Sequence, residues 1–184
     1  QEEIRRLQRD SGIPTLYVTH DQDEAMFLSD RIALCNHGRL VALGAPRALY
    51  EEPGSAWEAC FLGEANILPV RQWTAERGEA RAALASGGVE VTTGIRPGVA
   101  ATGNMVVMVR PEYVHVGSGV TSDMTTLPAR IVDIVYLGPR QRVSLVTDDG
   151  VAILADLRPW ERPGNPGDRT SCGWRDHHSR LVEA

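Results

Sequence analysis

The sequence predicts two unlike parts: an α/β fragment over residues 1–63, followed by a small all-β barrel over residues 64–184. Three observations lead there. A short β-branched run, Ile13 to Thr19, passes directly into a capped helix start at Asp21, the order of strand and helix in an α/β sheet. The texture then changes at about residues 62–66. Beyond Ile67 the chain breaks into short strand-like segments separated by Gly, Pro, Asp and Ser turns, as in a small barrel or sandwich.

Each element follows from local chemistry. Ile4 and Leu7 lie at helical spacing among charges, so residues 1–10 read as a surface helix that Ser11-Gly12 ends with a left-handed glycine cap. Ile13–Thr19 reads as a buried strand, with Pro14 tolerated only at its beginning. Asp21 is a good N-cap, Glu24 completes a capping-box-like spacing, and the acids suit the positive end of a helix running to about Leu28. Arg31–Asn36 and Arg39–Leu43 predict two strands joined by a tight turn at Asn36-His37-Gly38. Pro46–Glu51 and Ala56–Leu62 predict short helices. The strands expected after them are Asn66–Trp73, Glu79–Leu84, Val89–Thr93, Asn104–Arg110, Ala129–Tyr136, Gln141–Thr147 and Val151–Ala155. Asp148-Asp149-Gly150 is a hairpin turn, and Gly138 is expected to take an unusual backbone angle after Tyr136-Leu137. Gly117–Thr126 is expected to be a flexible loop.

Composition removes several functions. A net charge of −5 gives no basic footprint for nucleic acid. Trp73, Tyr113, Tyr136 and Trp160 are scattered rather than interleaved with dense Arg, so no nucleic-acid partner is expected. No apolar run approaches the roughly 20 residues of a membrane helix. The three cysteines, Cys35, Cys60 and Cys172, match no metal or redox spacing and are expected reduced. All 19 basic side chains are arginine, so no mechanism can draw a lysine from this chain. The first residues lack Met and read as the middle of a helix, which suggests a fragment.

His20 is the candidate for chemistry. It stands between an apolar run and an acidic helix start, Val18-Thr19-His20-Asp21-Gln22-Asp23-Glu24-Ala25. A histidine there would sit at the carboxyl edge of a sheet, where ligands bind in open α/β folds. An imidazole can donate to a terminal phosphate or position a water. The alternative is a structural or solvated histidine.

The neighbouring motifs form an ordered series: Tyr17 to Ala25, then Leu28-Ser29-Asp30-Arg31-Ile32, His37-Gly38-Arg39-Leu40, Gly44-Ala45-Pro46 and Leu49-Tyr50-Glu51-Glu52-Pro53. This series resembles the end of the nucleotide-binding subunit of ABC transporters, especially importers of the spermidine/putrescine and ferric-iron type. Phe61-Leu62-Gly63-Glu64-Ala65-Asn66 resembles the family's join to its accessory TOBE domain, and Met108-Val109-Arg110-Pro111-Glu112-Tyr113 resembles a motif inside that domain. The resemblance implies the end of a P-loop NTPase core over residues 1–63 and an OB-like TOBE barrel over 64–184. It makes His20 the switch histidine that contacts the ATP γ-phosphate, with ATP and Mg²⁺ as cofactors of the full-length protein and no metal ligands here. It implies a homodimer, inner-membrane permease subunits, an indirect periplasmic solute-binding partner, and a place on the cytoplasmic face of the inner membrane. Asp21 matches the family's residue after the switch histidine, but its physical role is helix capping. Ser29-Asp30-Arg31 reads as a helix stop with an ion pair.

The family's phosphate loop, its Mg²⁺ and base carboxylates and its Leu-Ser-Gly-Gly stretch do not occur in this sequence. The chain alone is therefore expected not to hydrolyse ATP and to need none as a cofactor. Arg110-Pro111-Glu112 reads either as an interface element or as a strand end with a solvated ion pair. Cys172, His177 and His178 offer no metal-site spacing; a loosely packed tail is expected there, because Thr170-Ser171-Cys172-Gly173-Trp174 is too polar for a closing barrel strand. Two other functions remain open at this point: a ligand-sensing or dimerisation module that keeps an ATPase remnant, and a histidine-dependent hydrolase, for which no nucleophile stands near His20.

Overall fold

A computed structural model describes residues 2–76, 78–96 and 103–184. The N-terminal segment carries two helices, α1 (Glu2–Ser11) and α2 (Gln22–Leu28), then the hairpin β1 (Ile32–Asn36) and β2 (Arg39–Gly44), then α3 (Pro46–Glu51) and α4 (Ala56–Phe61). Gln1, part of the expected first helix, lies outside the described residues. The hairpin turn is of the mirror-image kind: His37 and Gly38 both have positive φ, 47° and 72°, which matches the twist of the flanking strands. Ile32, Leu34, Ala42, Leu49 and Leu62 form a small core of this segment.

Two expectations for this segment fail. Ile13–Thr19 is not a strand: it pairs with nothing among the described residues, and Leu16 and Val18 are 90 % and 86 % exposed. A strand exists only through its neighbours, and the β-branched composition of this run has none here to pair with. Among the described residues, the expected α/β fragment over 1–63 is consequently built of helices and the β1–β2 hairpin, without a sheet strand ahead of His20. Arg31 and Asp30 also make no ion pair among the described residues; α2 ends with the Ser29 amide donating to Ala25.

The rest is β structure in two units. Strands β3 (Asn66–Glu76), β4 (Glu79–Leu84), β5 (Glu90–Ile95) and β6 (Met105–Val109) follow in order. Then come β7 (His115–Val116), β8 (Thr125–Tyr136), β9 (Gln141–Thr147), β10 (Ala152–Leu157), β11 (Arg169–Trp174) and β12 (Ser179–Glu183). Five strands close into a barrel in the order β12-β5-β4-β3-β6; the other five form an open, half-barrel sheet in the order β10-β9-β8-β11-β7. One barrel was expected and two packed units are found. They share one continuous core, from Leu68, Val91 and Val107 on the barrel side to Ile131, Leu145 and Trp174 on the half-barrel side.

The apolar run Met105-Val106-Val107-Met108-Val109 is explained by β6 being buried on both faces. Met105, Val107 and Val109 enter the shared core, while Val106 and Met108 lie with Val182 beneath Ala59 of α4. The C-terminal residues are not a loose tail. β11 pairs with β8 and β7, and β12 closes the barrel against β6 and β5; Cys172 and Trp174 are fully buried. The expected loop Gly117–Thr126 holds a 3-10 turn at Gly117–Gly119 and the first two residues of β8, with turns and irregular backbone over 120–124 between them. Gly138 has the expected positive φ of 81°. Among the described residues no helix is long and apolar enough to cross a membrane.

Candidate functional site

His20 sits exposed in the turn immediately before α2. The backbone around it is fixed by side chains. The Asp21 carboxylate accepts from the Glu24 amide at 3.0 Å, which caps the helix as expected. The return arm of the capping box is replaced. The Asp21 amide donates to the Thr19 hydroxyl at 3.0 Å, and Glu24 turns outward to accept from Thr19 at 3.0 Å and from the Tyr17 hydroxyl at 2.9 Å. The Glu24 carboxylate raises the Tyr17 pKa, first through that hydrogen bond and then through its charge. The imidazole is thus presented to solvent from a pinned turn. No sheet edge lies beneath it, because Ile13–Thr19 is unpaired.

A second feature joins the helical segment to the barrel. Arg110, at the end of β6, is 1 % exposed. Its guanidinium donates to the carbonyls of Ala59 at 2.8 Å, Glu64 at 3.0 Å and Tyr50 at 3.0 Å. It also lies over the Tyr50 ring, 3.9 Å from the centroid. Burial lowers the Arg110 pKa. The Tyr50 hydroxyl donates to Glu112 at 2.7 Å, and burial followed by that bond raises the Tyr50 pKa. Arg110 and Glu112 therefore bond within the chain, to the segment that precedes the barrel, and among the described residues they form no ion pair with each other.

Beside this joint opens a cleft of about 550 Å³. One wall holds Gln22, Asp23, Tyr50 and Glu112; the opposite wall holds Arg140 and Arg158 of the half-barrel. On the half-barrel side Asp156 accepts from Arg142, its neighbour on the adjacent strand, at 2.8 and 2.9 Å and pairs with Arg140 at 3.3 Å, while Glu64 pairs with Arg142. Its charges largely satisfy one another. His20 is not among the lining residues, so the cleft and the candidate residue are adjacent but separate.

Cys172, His177 and His178 do not converge on a metal; among the described residues no group of three or more His, Cys, Asp or Glu side chains is placed to hold one. Cys172 lies in the core, where burial pushes its thiol up to about 12. His178 stacks on Tyr113 at 4.0 Å between ring centroids and abuts His177 at 4.1 Å. Sequence reasoning missed Asn66 and Tyr50 as individual residues. Both lay within quoted motifs, but their partners are remote in sequence.

With this geometry in hand, known proteins give the context. The TOBE domain family matches residues 107–182. The spermidine/putrescine import ATP-binding protein PotA of Thermobifida fusca is 34 % identical over 187 residues, covering 99 % of this chain and 48 % of that protein. The protein of the same name from Rubrobacter xylanophilus is 35 % identical over 188 residues, covering 99 % and 48 %. That from Mesorhizobium japonicum is 35 % identical over 169 residues, covering 92 % and 45 %. The chain thus spans about half the length of the curated relatives it matches. Among solved structures, the cytoplasmic molybdate-binding protein ModG, in a form with molybdate bound, shares the fold at a TM-score of 0.52 and 16 % identity, over 66 % of this chain and 96 % of that one. Residues 107–182 thus form a TOBE domain, and along nearly its whole length the chain is homologous to the C-terminal part of spermidine/putrescine import ATP-binding proteins.

Proposed function

We propose that this chain is the C-terminal portion of the ATP-hydrolysing subunit of an ABC importer for spermidine/putrescine or a similar small solute. Residues 1–63 end its nucleotide-binding domain and residues 64–184 are its accessory domain. The observation that carries this reading is the similarity, along nearly all of this chain and about half of each relative, to proteins bearing that name. In the intact protein, two such subunits would dimerise at the cytoplasmic face of the inner membrane beneath permease subunits, served indirectly by a periplasmic solute-binding protein.

The residues present fit only part of an ATP–Mg²⁺ site. The chain has no lysine to cradle phosphates. When bound, the nucleotide and its metal supply the transferable phosphoryl group and its charge neutralisation. His20 supplies one contact. Its exposed ring, on a turn pinned by Thr19, Asp21 and Glu24, supports a role in donating a hydrogen bond to a γ-phosphate oxygen and orienting the attacking water. Such a role is positioning, which is most of what phosphoryl transfer asks of a protein. By the same reading this chain alone does not turn over ATP.

The test is His20→Ala in the full-length protein. ATP turnover should fall on the order of 100-fold or more, with nucleotide affinity nearly unchanged. Normal turnover in that variant removes the switch role. A second reading, a ligand-sensing or dimerisation module that keeps an ATPase remnant, is favoured by the open cleft between helices and half-barrel. Calorimetry of this chain with spermidine, putrescine and molybdate distinguishes it: a saturable signal supports sensing, and silence removes it.

A further inference from the structure

Arg110 belongs to the barrel by sequence position, yet its side chain serves none of the barrel's own hydrogen bonds. All three of its acceptors, Tyr50, Ala59 and Glu64, lie in the segment that precedes β3. Two of them are carbonyls in the last turn of a helix, Tyr50 in α3 and Ala59 in α4. Such carbonyls have no partner within the helix and carry the negative end of its dipole. One guanidinium therefore caps two helices and the connection beyond them. Arginine suits this because its planar fork reaches several acceptors at once and stays charged when buried.

The packing around it is equally directed. The Tyr50 ring lies against the guanidinium and passes the contact on to Glu112. Gly63 leaves space for both: a Cβ there would stand 3.2 Å from the Tyr50 ring and 3.6 Å from Arg110 Nη1. Among the described residues the Arg110 Nε has no hydrogen-bond partner. A side chain selected only for core stability would not be a buried cation with one donor unused, since apolar residues fill such space at no electrostatic cost.

We infer that Arg110 is a positioning residue, the joint that locks helices α3 and α4 onto the barrel so that the helical segment and the β units move as one body. The coupling is a property of this chain and needs no nucleotide. Its consequence, that the accessory domain is rigidly geared to the ATPase half, rests on the function proposed above.

Hydrogen exchange on this chain tests the joint without relying on that function. Arg110→Lys keeps the charge but cannot span three carbonyls. Amides in residues 46–65 should exchange about 10- to 100-fold faster, the scale of losing charge-assisted bonds, while β3 to β12 change less than about 3-fold. Equal acceleration in helices and strands would make Arg110 an ordinary core residue and overturn the inference, as would no acceleration at 46–65. If Arg110→Lys does not fold, Arg110→Met carries the test. It fills the space without burying a charge and removes all three carbonyl bonds, so faster exchange confined to 46–65 supports the joint and unchanged exchange there overturns it. Failure of the His20 test leaves either result standing.

Discussion

Replacing Asn66 by alanine removes two hydrogen bonds at once. Asn66 begins β3, and its buried side chain reaches the free edge of β10. Its Nδ2 donates to the Leu154 carbonyl at 2.9 Å, and its Oδ1 accepts from the Leu154 amide at 2.7 Å. The side-chain amide thus pairs with β10 as a neighbouring strand's peptide group would, and it ties the barrel to the half-barrel. Each bond contributes about 1 kcal/mol net, and the half-buried Leu154 groups left without partners add a desolvation penalty. The expected loss is roughly 2–4 kcal/mol, or a fall in Tm of about 5–15 °C for a chain of this size. Urea and thermal melts followed by circular dichroism measure it. Asn66→Asp is the sharper control: an ionised carboxylate can accept from the Leu154 amide but repels its carbonyl, so at neutral pH it should be no more stable than Asn66→Ala. A loss below about 0.5 kcal/mol in Asn66→Ala, within the range of an ordinary surface change, would refute the stapling role.

Gly173→Ala should cost about 1–3 kcal/mol, because a Cβ there would stand 2.7 Å from the Thr125 carbonyl oxygen of the neighbouring strand; an unaltered urea midpoint would contradict that close approach. Thiol titration of the native chain should modify Cys35 and Cys60 promptly and Cys172 only on unfolding, since the first two are exposed and the third is buried; three prompt equivalents would show β11 to be loose. His178 should make the fold acid-sensitive. Burial, then His177, Arg175, His115 and Arg180, hold its pKa below the ordinary 6.5. The unfolded chain therefore binds that proton more readily, so stability falls as pH drops below about 6.5 and is unaffected by this group above it. His178→Phe keeps the ring on Tyr113 and should flatten that slope in melts between about pH 5 and 7.5; an unchanged slope assigns the sensitivity elsewhere.

The strands that were legible in the sequence are those whose chemistry is local. Gln141–Thr147 alternates buried and half-buried residues along its whole length, and Asp148-Asp149-Gly150 turns it into β10. The hairpin at His37-Gly38 and the cap at Asp21 were readable for the same reason. β11 was not, because its burial comes from distant partners. Cys172, Gly173 and Trp174 are enclosed by β7 and β8, and Gly173 is small to admit a backbone rather than to make a turn. Ile13–Thr19 failed in the opposite way: its composition suits a strand, but pairing is decided by what lies alongside. At the candidate site the capped turn presenting His20 was visible in its spacing. The role of Arg110 was not, because its acceptors lie 46 to 60 residues away.

The order of strands has a consequence for synthesis. β12 supplies the stave between β5 and β6, yet the five half-barrel strands intervene in the sequence before it. Residues 66–109 therefore remain an unclosed sheet on the ribosome until residues 179–183 have emerged. A transcript cut short anywhere between leaves two adhesive rims, so a truncated product is a substrate for proteases and aggregation rather than a smaller working protein.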